Sequence, residues 1–138
     1  MSSQPLRIDV KTLQTLRERS RVSGEPLVRL AGRYIEEGLR ADRHPGIVFR
    51  DGPAGRRPVV VGGADVWEII SALRSAPEHG QLLIPALAER LGASEASVRI
   101  ATRYYGEYPD DIDTWIEIND AEAEELEAAL ERERALLG

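Results

Sequence analysis

Apolar and polar residues alternate near the start of the chain, with Leu6, Ile8 and Val10 set between Arg7, Asp9 and Lys11. A period of two predicts a half-buried strand. Thr12 is then placed to cap a helix in which Leu13 and Leu16 lie three apart and Arg17, Glu18, Arg19 and Arg21 stay wet. Ser23-Gly24 stops that helix, and Pro26 suits the first position of the next. Leu27, Leu30, Ala31, Tyr34, Ile35, Gly38 and Leu39 then recur at alternating steps of three and one, the clearest helical stripe in the protein.

His44-Pro45-Gly46 ends this helix. Ile47–Arg50 and Val59–Val61 read as two short strands flanking an eight-residue loop from Asp51 to Pro58 with Arg56 and Arg57 at its tip. The loop is glycine-rich, but no Gly-Lys-Ser/Thr follows it, so it is not a phosphate loop. After Gly62-Gly63, Asp65 and Glu68 have the spacing of a capping box, and Val66, Ile69, Ile70 and Leu73 form a helical stripe. Ala88, Gly92 and Val98 have helix-turn-helix spacing: a small residue at the contact, a turn, and a wedge between the helices. Ser94 would cap the second helix, whose outer face carries Arg99 and Arg103 alongside Glu95; a plain helical packing unit satisfies the same spacing. Pro109 and three aspartates open a long last helix with an apolar edge of Ile112, Trp115, Ile116, Ala123, Leu126, Leu130 and Leu137.

Charge changes the picture more than composition does. The 138 residues are 42% apolar and 30% charged, as expected of a globular chain. The net charge of −6 conceals a gradient: +3 over residues 1–45, +1 over 46–105, and −10 over 106–138. The front can neutralise phosphates, whereas the rear repels nucleic acid and suits a basic protein, or is simply a solvated helical face. There is no cysteine, and His44 and His79 stand apart, so no nucleophile, base or metal constellation is expected: no catalysis, no metal, no cofactor. No apolar run reaches membrane-spanning length and Met1–Ser3 opens no signal peptide, which points to a cytoplasmic setting away from membranes.

A lone strand and two helices cannot satisfy the strand's edge or cover both stripes, but a second copy can. Leu6–Val10, Leu13–Leu16, the Ser23-Gly24 turn and the stripe ending Tyr34–Leu39 resemble the ribbon-helix-helix family of CopG-like repressors and VapB-type antitoxins. The resemblance implies a homodimer with Leu6, Ile8, Val10, Leu30 and Tyr34 in its core. It also implies a ribbon that puts Arg7, Asp9 and Lys11 in the major groove of operator DNA. Family members hold a phosphate on the amides opening the second helix, where this chain has Glu25.

Residues from His44 to Trp115 are similar to a winged-helix-like domain of bacterial antitoxins encoded beside PIN-like RNase toxins. The residues that carry this are His44–Gly46, Pro58–Gly63, Asp65–Trp67, Val98-Arg99, Ala101–Tyr105 and Tyr108–Asp113. Arg56, Arg57, Arg99 and Arg103 are further candidate phosphate contacts.

The sequence therefore predicts a mainly α fold with a small β component in three parts: a ribbon-helix-helix head over residues 1–43, a hairpin and helix-turn-helix-like domain over 44–108, and an acidic helix over 109–138. The expected function is that of an antitoxin that represses its own operon and neutralises a basic, PIN-like RNase toxin. Ile112, Trp115, Ile116 and Leu126 would grip the toxin unless that edge packs on the protein's own body. The alternatives are a stand-alone ribbon-helix-helix repressor with an effector pocket near Trp67 and Tyr104, and a dimer with no DNA role.

Overall fold

A computed structural model describes residues 3–138; Met1 and Ser2, on which the expectation of no signal peptide partly rests, lie outside the described residues. Among the described residues the fold is mainly α, with one two-stranded antiparallel sheet. The chain divides into two compact units, Met1–Asp42 and Arg43–Gly138. Among the described residues no helix is long and apolar enough to cross a membrane.

The first unit is built on α1 (Val10–Ser23) and α2 (Leu27–Arg43, whose last residue belongs to the second unit). Helix α1 begins two residues before Thr12, because Asp9 is its cap: the Asp9 carboxylate accepts from the Thr12 amide at 3.3 Å. Gly24, at φ 76°, takes the left-handed conformation that ends α1. The turn is tied down by Ser20 Oγ, which donates to the Glu25 carbonyl at 2.6 Å, and by the Glu25 carboxylate, which accepts from Arg33 at 2.8 Å.

Residues 3–9 form no strand within the chain, and Val10 is helical rather than extended. Their apolar side chains stay in water, Leu6 at 72% and Val10 at 69% exposure. The α2 stripe is open as well: Leu30 is fully buried, but Tyr34, Ile35 and Leu39 remain exposed. A unit of about 40 residues is too small to cover its own apolar surface.

The second unit opens with a hairpin of β1 (Ile47–Gly52) and β2 (Gly55–Val60), paired from Ile47↔Val60 to Gly52↔Gly55. Pairing therefore runs through most of the expected loop and leaves only Pro53-Ala54 unpaired. Arg56 and Arg57 are strand residues, not a tip. Pro58 is tolerated opposite Phe49 because both strands of a two-stranded sheet are edges.

Helix α3 (Val66–Ser75) follows, then a 3₁₀ turn at Gly80–Leu82, α4 (Leu83–Leu91), α5 (Glu95–Glu107) and α6 (Pro109–Leu137). Gly92, at φ 66°, turns the chain between α4 and α5, and the Ser94 hydroxyl caps α5 by accepting from the Ser97 amide at 3.0 Å. The core joins Ile47 and Val60 of the hairpin to Val66, Ile69 and Ile70 of α3, Leu87 and Ala88 of α4, and Val98, Ala101 and Tyr104 of α5. Ile112 and Ile116 of α6 complete it. The last helix is thus no separate part: its first two turns pack against α3 and α5. From Asp120 onward almost every side chain is exposed.

Candidate functional site

Three regions carry candidate chemistry. The first is the lead-in to α1 and its first turn, where Arg7 and Lys11 are exposed cations. Asp9 lies between them, exposed, with one carboxylate oxygen capping α1. The Glu25 carboxylate is held by Arg33 farther along α2.

The second region is the outer face of α5. Ala88 and Val98 are buried at the α4–α5 contact, as the spacing requires, and Arg99 and Arg103, four residues apart, are exposed on one helical face. The hairpin arginines are engaged otherwise. Arg56 pairs with Asp51 at 3.3 Å, and Arg57 forms an ion pair with the buried Asp65. Asp65 occupies the cap position of α3 without capping it, because its Oδ2 accepts from both Arg57 and the Trp67 indole N–H, the latter at 3.0 Å. Of the capping box expected of Asp65 and Glu68, the Asp65 side-chain half does not form, whereas the Asp65 backbone N–H acts on the Glu68 carboxyl and favours its charged form. Arg50, opposite Arg57 in the ladder, is an exposed cation that pattern reasoning missed.

The third region is the acidic helix. Ile112 and Ile116 lie in the core, which leaves them no surface to offer a partner, whereas Leu126 is 63% exposed, and Ile118, Leu130, Leu136 and Leu137 are exposed too. Trp115 sits between these cases, half-buried with its ring beside the Gly55 backbone. The hairpin turn, Trp67 and one face of α6 enclose a cleft of about 130 Å³, with Trp115, Asn119 and Glu122 on its α6 side and Arg57 and Asp65 in its wall. A pocket was expected near Trp67 and Tyr104. The cleft is at Trp67, but its second aromatic wall is Trp115.

Tyr104 is instead a core residue, packed edge-on to His44 (centroids 5.2 Å) and Phe49 (6.4 Å) and tilted against Tyr108 (4.9 Å). His44 is buried beside it. Its Nε2 lies 3.0 Å from Glu107 Oε1 and, since a carboxylate only accepts, carries the hydrogen. Nδ1 is buried with no hydrogen-bond partner among the described residues.

The electrostatics follow these contacts. Hydrogen bonds from His44 and Tyr108, helped by Arg43, hold the Glu107 carboxyl below its ordinary range. Arg74 and Tyr105 do the same to Asp113: the phenol donates to Oδ1 at 2.9 Å, and Arg74 donates to both partners. Arg90 lowers Glu78. Glu68 moves the other way. Much of its side chain meets water, yet desolvation raises its carboxyl, Asp65 adds repulsion, and Arg57 opposes both.

Among the described residues no group of three or more His, Asp or Glu is placed to hold a metal ion. Comparison with known proteins finds no match: no protein-family model, no curated sequence and no solved structure is similar to this chain.

Proposed function

We propose that this chain is the antitoxin of a type II toxin–antitoxin pair, in which a dimeric ribbon-helix-helix head binds operator DNA and the acidic end of α6 neutralises a basic, PIN-like RNase toxin. The observation that carries this reading is the surface left open by the first unit. The alternating Leu6, Ile8 and Val10 and the α2 residues Tyr34, Ile35 and Leu39 are exposed, and α1 is capped at both ends. Two copies would pair their lead-in segments as a ribbon and close the stripes against each other, with Arg7 and Lys11 turned to the groove. The second unit, with its hairpin and its α4–turn–α5 pair, supplies a winged-helix-like body in which Arg99 and Arg103 are further phosphate contacts.

The tail adds the second half of the proposal. Residues 106–138 carry a net −10, and the Leu126 and Leu130 edge is exposed. With Ile112 and Ile116 in the core, gripping the toxin falls to Leu126, Leu130 and the open side of Trp115.

Co-expression with the adjacent open reading frame tests the whole. The toxin should co-purify with the wild type and be lost from Leu126→Asp/Leu130→Asp, whose melting temperature stays unchanged because both sites are exposed. Arg7→Ala should weaken binding to the protein's own promoter by about 1–3 kcal/mol if Arg7 reads a guanine, and binding should fall steeply with salt. A variant in which Arg7→Ala and Lys11→Ala leave promoter binding unchanged would move the contact to Arg99 and Arg103.

The Trp67–Trp115 cleft favours a second reading, a stand-alone repressor whose effector occupies that cleft. An isolated gene with no toxin beside it would support this instead.

A further inference from the structure

The protein has two tryptophans, and both line one cleft. At about 130 Å³ it matches the end group of a single side chain; a dry cavity of roughly 150 Å³ accommodates one benzene ring. Its charges do not cancel. Arg57 is neutralised by Asp65, which is itself fixed by the Trp67 indole, and Glu122 adds an unbalanced negative charge at the α6 side. Indole rings together with an excess carboxylate select an organic cation, since the ring faces attract positive charge and Glu122 adds to the attraction.

The cleft is also continuous with the exposed edge of α6. Trp115, Asn119 and Glu122 line it, and Leu126 and Leu130 follow at steps of four on the same helical face. A segment lying along that face would bring one side chain to the cleft.

We propose that the Trp67–Trp115 cleft is the receptor for one arginine or lysine side chain, carried by a basic amphipathic segment of the protein that docks along Leu126 and Leu130. This rests on the reading of α6 as a partner-binding helix and names the chemistry of that partner. The surrounding face, rich in Glu and Asp, repels a second copy of the same helix and attracts a basic segment.

Because the protein's tryptophans both line the cleft, their fluorescence and their two indole N–H resonances report on it directly. N-acetyl-arginine amide should shift both resonances, and its neutral isostere N-acetyl-citrulline amide should bind about tenfold more weakly. Glu122→Gln, at an exposed site, should weaken the arginine probe about threefold or more, an effect lost at high salt. A synthetic helical peptide with leucine and arginine at heptad spacing should bind more tightly than the free amide. Leu126→Asp should weaken the peptide without touching the amide.

Equal binding of the citrulline probe, preference for neutral indole, or unmoved resonances would overturn the proposal. Peptide binding indifferent to Leu126→Asp would also overturn it, reducing the cleft to a site for free cations. Co-purification of the toxin is measured separately, so a silent cleft with an intact complex would reject this inference and leave the antitoxin reading standing.

Discussion

Asp65 shows how much one side chain decides in this fold. It is buried, and its Oδ2 gathers the Arg57 guanidinium and the Trp67 indole N–H, so one carboxylate ties β2 to the first turn of α3. Asp65→Asn leaves a largely covered guanidinium without its counter-charge and should cost about 2–4 kcal/mol, read from urea unfolding. Its neighbour Glu68 behaves oppositely. With its carboxyl raised in the fold, ionisation is disfavoured there, so a small penalty sets in as pH rises through the unfolded value and is complete above the folded one. Glu68→Gln should therefore stabilise slightly at neutral pH, by a few tenths of a kcal/mol at this partly exposed site, and have no effect in acid.

Glu78, Glu107 and Asp113 are held below their ordinary range, so their contribution is present above the unfolded carboxylate values near 4 and is lost as pH falls through the lower folded ones. The urea midpoint should drop in that acid window, and Glu107→Gln should flatten the drop. None of these pairings was legible in the sequence: Arg74 meets Asp113 across 39 positions and Arg43 meets Glu107 across 64.

Among the elements, those with a strong period and a local stop signal are the ones that pattern reasoning places well. The α4–turn–α5 pair is such a case: Ala88, Gly92, Ser94 and Val98 each do locally what their spacing implies. The hairpin is the counter-example. Gly52, Pro53, Gly55 and Pro58 have loop composition, yet the ladder runs on to Gly52↔Gly55 because Arg56 and Arg57 find carboxylates and Pro58 needs no ladder bond on an edge. Gly55, at φ 130°, makes that tight turn, in a region that residues with a Cβ rarely enter. A Cβ there would meet Trp115 only at 3.5 Å, so Gly55→Ala is disfavoured by backbone strain rather than by lack of space. It should lower stability by about 1–3 kcal/mol, measured by thermal or urea unfolding.

At the scale of the whole molecule, the acidic helix changes role along its length. Its 29 residues extend about 43 Å, of which only the first turns contribute to a core. Removing residues 121–138 should leave the melting temperature within a few degrees of the full chain, because nearly every side chain lost is exposed. Truncation after Pro109 deletes Ile112 and Ile116 from the core and should unfold the second unit, seen as loss of the cooperative transition in circular dichroism. A truncation at 120 that also unfolds would show the distal half of α6 to be structural.

The division between what was legible and what was not follows the range of the forces involved. Helix periods, the Gly24 and Gly92 stops, the Ser94 cap and the charge gradient are properties of neighbouring residues, and the sequence by itself determined them. The apolar edge of α6 was legible as an edge, but its periodicity is the same whether a residue packs on its own chain or faces water. Only the tertiary structure decided that Ile112 and Ile116 enter the core while Leu126 does not, because burial depends on where α3 and α5 end beneath the helix. The pairing of the two tryptophans was hidden for the same reason. They stand 48 positions apart, and no local pattern links them until the hairpin turn and α6 close around the same space.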